Sequence, residues 1–264
     1  MYKNKIISLS ITSCKRLHLL SRVLKAFTVF CEDLDVIDNV IFIDDSSSSE
    51  DKLVMENLLH ELFPNKNLII QHFYKDSFSD NYRHSRVLNH WRNELINTNS
   101  DYCFHLEDDY LFVDFFNISK SIDVLETNTE YGMINFAQSY KKFPENIKPK
   151  IIGDYWEWYY DNNLPLNCNL FMDDVGAIQT PIPDFWMTYI NWPSFSLRPS
   201  IHDVKKLLSI GEFSTSYNTD NMRTELEFAL RWSEKFKSLC HKRFHIINLA
   251  IDSSNSAYTM NDSQ

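Results

Sequence analysis

The chain has 264 residues, 44% hydrophobic and 23% charged, a balance that builds a substantial core and excludes a disordered polymer. The formal net charge is −10 with no Lys/Arg-rich block, which excludes the basic face of a nucleic-acid binder. Glycine occurs only at Gly132, Gly153, Gly176 and Gly211, so neither a GxGxxG fingerprint nor a phosphate-binding P-loop can be assembled.

Five cysteines, Cys14, Cys31, Cys103, Cys168 and Cys240, lie far apart. That spacing fits reduced thiols in a cytoplasmic compartment better than a disulfide framework or a zinc site. The apolar run Ile6–Ile11 is too short for a signal-peptide core and reads as a strand. No stretch approaches the ~18 apolar residues of a membrane span, so a soluble protein is expected.

Along the chain, Leu17, Leu20, Val23, Leu24, Phe27 and Phe30 recur at helical spacing after that first strand. Val40–Ile43 predicts a short buried strand. Ser46–Ser49, followed by Glu50 and Asp51, predicts a helix start whose apolar side is Leu58, Leu59 and Leu62. Leu68–Phe73 predicts a third strand, and Val87, Leu88, Trp91 and Leu95 a third helix. Tyr102–Leu106 predicts a fourth strand, Ile118, Ile122 and Leu125 a further helix, and Met133–Phe136 a fifth strand. Repeated strand–helix units imply a mainly parallel sheet covered by helices. Such sheets bind ligands at the carboxyl ends of their strands. Acids stand at two of those ends: Asp44-Asp45 after the second strand and Glu107-Asp108-Asp109 after the fourth.

From about residue 140 the texture changes to prolines and aromatics, and loops with short strands are expected. Thr224–Cys240 returns to helical spacing through Leu226, Ala229, Leu230 and Phe236, and His245–Ile247 reads as strand. Tyr155–Tyr160, Trp186 and Trp192 supply flat rings suited to sugar faces, although alternation lets half of the run serve a core. The proline-bounded loop Trp192–Pro199 carries Arg198, which suits a diphosphate or an acidic acceptor group; a rigid surface loop is the alternative.

Three adjacent acids repel one another unless a cation or solvent relieves them. Hard cations such as Mg²⁺ and Mn²⁺ take carboxylate oxygens together with substrate phosphates. A solvated strand-end turn is the alternative for the acids taken alone.

Four short segments, in order, resemble the GT-A nucleotide-sugar glycosyltransferases, particularly the family-two-like group. Ile6–Arg16 is similar to their first strand and nucleotide-contacting turn, and Ile41–Ser47 to their second-strand signature. Arg92-Asn93 is similar to the pair that precedes the DxD motif, and His105–Asp109 to the DxD segment itself. The resemblance implies an α/β GT-A fold in a single domain. A Rossmann-like nucleotide-binding half with a mainly parallel sheet would span 1–138, and a loop-rich acceptor half 139–264. It implies that Thr12, Ser13, Arg16, Arg92 and Asn93 lie on the donor nucleotide, and that Asp45 contacts the base with Asp44 beside it. It further implies that Glu107 or Asp108 lies near the ribose and that Asp109 is the main metal ligand, with Glu107 as a second. The family's first acid is Asp; Glu107 departs from it, which bears on metal preference and on whether Asp108 takes over ligation.

Met222–Arg231 resembles the acidic helix start of inverting members. Counting back from Arg231 puts Glu225 on the base position, with Glu227 in reserve about 200° around the helix. A base must deprotonate the acceptor hydroxyl, and a helix N-terminus favours the ionised form; an ordinary acidic first turn is the alternative. The family often takes a third metal ligand from a late His, for which His245 is the candidate, against a plain strand imidazole. Ala250–Tyr258 is similar to the segment that folds over the donor, but Asn248-Leu249-Ala250 stands where a His-x-Gly is usual.

The expectation is therefore an inverting transfer from a UDP- or GDP-sugar to a glycan or glycoconjugate hydroxyl, dependent on Mn²⁺ or Mg²⁺, with no nucleic-acid partner. A metal-dependent nucleotidyltransferase and a catalytically silent carbohydrate-binding protein of the same fold are the alternatives. The first normally shows a Gly-rich or Lys-bearing N-terminal loop, and Thr12–Arg16 contains no glycine.

Overall fold

A computed structural model describes residues 2–73, 83–136, 148, 150–160, 172–173, 176–177, 192–215, 221–243 and 245–249. In chain order the first half runs β1 (Ile7–Ser13), α1 (Leu17–Phe30), β2 (Asn39–Asp45), α2 (Ser49–Leu62), β3 (Asn67–Phe73), α3 (Arg83–Asn97), β4 (Tyr102–Glu107), β5 (Tyr110–Phe112), α4 (Ile118–Thr127) and β6 (Tyr131–Asn135). The second half adds β7 (Ile151–Ile152), β8 (Tyr155–Glu157), β9 (Met172–Asp173), β10 (Gly176–Ala177), β11 (Ser200–Asp203), α5 (Val204–Ser209), α6 (Asn221–Ser233), β12 (Lys237–His241) and β13 (Ile246–Asn248).

One sheet carries nine of these strands in the order β3-β2-β1-β4-β11-β6-β12-β8-β7. The pairs β1–β2, β1–β4, β2–β3 and β6–β12 are parallel, the arrangement that helical crossovers produce. Both faces are covered, so residues along a central strand alternate between two cores rather than between core and water. Phe42 and Phe104 face α1, α2 and α4 in one cluster with Phe27, Leu59 and Ile122. Their neighbours Ile41, Ile43 and Cys103 face α3 and α6 in the other, with Trp91, Phe228 and Trp232.

β5 and α5 were not expected from the sequence, and two further elements differ in placement or type. β11 lies antiparallel between β4 and β6, in a stretch read only as loops with short strands. Its four residues hold a single aliphatic side chain, so no periodicity marks it; the slot between two parallel strands does. The helical spacing read through Cys240 breaks at Ser233. Leu239 and Cys240 instead enter opposite cores from β12, as alternate residues of a strand do. Among the described residues Cys14, Cys31, Cys103 and Cys240 form no disulfide. Among the described residues no helix is long and apolar enough to cross a membrane.

In the second core the Trp232 ring packs closely against the β6 backbone at Gly132. A Cβ on Gly132 would meet the Trp232 ring at 2.7 Å, and that ring is fully buried. Gly132→Ala is therefore expected to destabilise the protein by about 1–3 kcal/mol through overpacking. Urea unfolding measures this, and an unchanged midpoint contradicts it.

Candidate functional site

The turn after β1 is built around a buried ion pair. Arg16 is 8% exposed; one terminal nitrogen donates to Asp108 Oδ1, and the other lies 3.1 Å from Asp109 Oδ2. Asp108 also accepts from the Ser13 hydroxyl at 2.7 Å and the Cys14 N–H at 3.1 Å. Burial pushes the Asp108 carboxyl up to about 6 against the pull of Arg16 and these donors, which leaves it ionised at neutral pH. Asp108 is wholly buried and turned toward β1. It anchors the turn, and its oxygens are taken up by Arg16, Ser13 and Cys14.

Asp109 is placed differently. Its Oδ2 meets Arg16, but its Oδ1 is buried with no hydrogen-bond partner among the described residues. Burial raises its carboxyl, opposed by Arg16 and by Arg198 nearby. Glu107, at the end of β4, is raised well above the ordinary range by burial, then by Asp109 and by Glu225. The structure thus brings Glu225 on α6 to the acids after β4. Glu225 accepts the Leu197 N–H at 3.1 Å. Burial raises its carboxyl against Leu197, Arg198 and Ser196. It is the fifth residue of α6, beyond the turn where the dipole acts strongly, so desolvation outweighs the expected dipole effect.

Arg198 belongs to this cluster, since its charge also reaches Tyr110. Glu107, Asp108, Asp109 and Glu225 face Arg16 and Arg198, four carboxylates to two guanidinium groups. With all four ionised the excess is negative, and a divalent cation would match it; without one, the raised carboxyls relieve it by holding protons. Among the described residues no three carboxylate, imidazole or thiol groups form a ready-made metal cage. A hard cation that draws most of its ligands from phosphates and water needs one or two protein carboxylates. The unpartnered Asp109 oxygen with Glu107 beside it fits that need.

At the end of β2, Asp44 is wholly buried and accepts from the Ser47 N–H and hydroxyl and from His72. Asp45 beside it is part exposed. Thr12 pairs with Ile43 and Glu107 in the sheet register, which puts it between the two acidic strand ends.

Four candidates lie elsewhere. Arg92 is buried and donates to the Leu208 carbonyl. α5 follows β11 at the amino end of β4, so Arg92 stands at the opposite end of the sheet from Glu107; the adjacent Asn93 is exposed. Glu227 is bound at 2.6 Å to Arg231, which also braces the Ile210 and Glu212 carbonyls; it serves a helix-surface ion pair. His245 stands opposite Val113 in the β5–β13 ladder, roughly 13 Å along the strand from Asp109. Its Nε2 lies 2.8 Å from His241 Nδ1. Beside Asp109 the ladder places Leu249, whose N–H meets the Asp109 carbonyl at 2.7 Å. Tyr155 and Trp158 are buried, and the Trp192 indole is hydrogen-bonded to the Phe195 carbonyl within its own loop. Trp186 and Ala250–Tyr258 lie outside the described residues.

No protein-family model matches the sequence, and no curated protein matches it. Among solved structures the chain is similar to "Mannosyltransferase PcManGT from Pyrobaculum calidifontis in complex with GDP-Man and Mn2+", at TM-score 0.58 and 10% identity, covering 97% of this chain and 60% of that one. It is also similar to S. aureus TarS 1–349, at TM-score 0.56 and 8% identity, covering 93% and 60%. The same protein in complex with UDP-GlcNAc gives 0.52 and 8%, covering 91% and 57%. The chain thus spans about three fifths of the length of these structures. The likeness establishes the fold, which is that of the GT-A nucleotide-sugar glycosyltransferases, as the resemblance implied.

Replacing Arg16 by Ala strands two buried carboxylates. A loss of about 3–5 kcal/mol in stability at pH 7 is expected, measured by urea unfolding; a loss below about 1 kcal/mol contradicts the anchoring role.

Proposed function

We propose that this chain is a metal-dependent glycosyltransferase that moves a sugar from a nucleoside-diphosphate sugar to a hydroxyl of a glycan or glycoconjugate. The observation that carries this reading is the acid cluster after β4, with four carboxyls to two guanidinium groups and the unpartnered Asp109 oxygen. The fold adds support, because similar structures hold GDP-Man with Mn²⁺ or UDP-GlcNAc.

In this reading Asp109 and Glu107 hold Mn²⁺ or Mg²⁺. When bound, the cation neutralises charge on the departing nucleoside diphosphate. Asp45, Thr12 and the Ser13–Arg16 turn border the nucleotide, within a donor half spanning 1–138. Arg198 meets the diphosphate from the side of the acceptor half, 139–264. Glu225 takes the proton of the attacking hydroxyl, which makes the transfer a single displacement with inversion. Its desolvation beside the Leu197 loop suits a base, because a carboxyl raised above its ordinary value accepts a proton more readily at working pH.

A panel of nucleoside diphosphates with and without Mn²⁺, read by melting temperature, tests the donor site. Stabilisation by UDP or GDP is expected only with the metal, and Asp109→Ala is expected to remove it. Equal stabilisation of the variant sinks the assignment. The base is tested by pH. Below its raised pKa Glu225 is protonated and inactive, so kcat is expected to rise with pH through a midpoint above the ordinary Glu range of ~4.3. Glu225→Gln is expected to lower kcat by about 10²-fold or more and to abolish that limb; a limb that persists in the variant assigns the base elsewhere.

A further inference from the structure

β2 and β3 end side by side, with Asp44 opposite His72 in their parallel register. The His72 ring is clamped between two carboxylates: Nδ1 lies 3.2 Å from Asp44 Oδ2, and Nε2 lies 3.0 Å from Glu56 Oε1 on α2. The Ser47 N–H donates to Asp44 at 3.2 Å and the Ser47 hydroxyl donates to its other oxygen. Ser47 Oγ in turn accepts the Lys15 N–H at 3.2 Å. A continuous hydrogen-bonded chain therefore runs from Glu56 through His72, Asp44 and Ser47 to Lys15. It joins α2 and two strand ends to the turn that carries Arg16.

Both turns in this chain hold a side-chain-bearing residue in the left-handed region, Lys15 at φ 55° and Ser46 at φ 70°. Such conformations cost energy and persist only where the surroundings over-determine them. With glycine absent from both turns, the network helps to hold them, beside the Asp108 anchor of the first turn and the Ser46 N–H bond to the Phe73 carbonyl at 3.0 Å. Asp44 uses its oxygens inside this network, whereas Asp45, part exposed, rides on the turn that the network fixes.

We propose that His72 is a positioning residue for nucleotide recognition, an inference that rests on the glycosyltransferase reading above. Clamped by Glu56, it holds Asp44 on Ser47 and thereby presets the two turns that border the nucleotide. A preset rim binds without an ordering cost. His72 itself does not touch the nucleotide; it acts through Asp44 and Ser47.

The experiment compares the wild type with His72→Ala, His72→Asn and Glu56→Ala. The Asn amide restores a donor near the Nδ1 position, and Glu56, 42% exposed at its side chain, can be truncated without threatening the core. Two readouts are taken: amide hydrogen exchange at Lys15 and Ser47, and calorimetric affinity for UDP and GDP with Mn²⁺. His72→Ala is expected to lose protection at both amides and to weaken nucleotide binding about tenfold, the loss of one charge-assisted bond. His72→Asn is expected to recover most of both. Glu56→Ala is expected to give the same signs at smaller size, and it carries the test if His72→Ala does not fold. Unchanged affinity in folded variants overturns the positioning role, whether or not the turns loosen. A wild type that binds neither nucleotide overturns the glycosyltransferase reading itself, while the exchange at Lys15 and Ser47 still reports the network separately.

Discussion

The Arg16 guanidinium bridges Asp108 and Asp109 in a site nearly closed to water. Two adjacent carboxylates at a strand end are unfavourable when buried, because each loses hydration and repels the other. Arg16 relieves both problems, and the geometry of the turn follows from it. Asp108, gripped also by Ser13 and Cys14, becomes the fixed post, and Asp109 is left with one oxygen engaged and one not. Adjacent residues of the same type thus acquire different chemistry from the direction in which the backbone points them.

The sheet then decides what meets these acids. By pairing antiparallel with β4, β11 opposes Ser200 to His105 and delivers the preceding residues to the strand end where Glu107 stands. Ser196, Leu197 and Arg198 arrive there as a group, and they receive Glu225 from α6. A strand of four residues therefore joins the acidic end of the first half to the base candidate and the second cation of the other half.

The two turns that border this site are preset without glycine. Lys15 and Ser46 sit in left-handed conformations and are held by hydrogen bonds rather than by backbone permissiveness. Such a turn is less adaptable than a glycine loop, which suits a site whose charge balance depends on a few ångströms. The same scarcity of glycine sharpens the role of Gly132, where the close approach of Trp232 leaves no room for a side chain.

Much of the fold was legible in the sequence. The five early strands and four helices follow local periodicity, which covalent geometry imposes on any amphipathic or buried segment, and the acids after β2 and β4 fall at strand ends because apolar runs stop there. Glu225 was singled out only through its resemblance to a family pattern; its electrostatic reach to Glu107 is not written in either segment. The candidates that lie away from the acids share one cause. Arg92 bonds the Leu208 carbonyl at the other end of the sheet, His245 stands four residues along its ladder from Leu249, and Glu227 pairs with Arg231. Each depended on register and rotation, which arise from packing between segments distant in sequence. β11 and β12 were invisible for the same reason: short strands with few apolar residues draw their identity from the partners beside them. The sequence by itself determined the strand and helix alternation and the chemical groups available to the site. Only the tertiary structure decided which of those groups face one another, because charge, burial and hydrogen bonding act between atoms that the chain order leaves far apart.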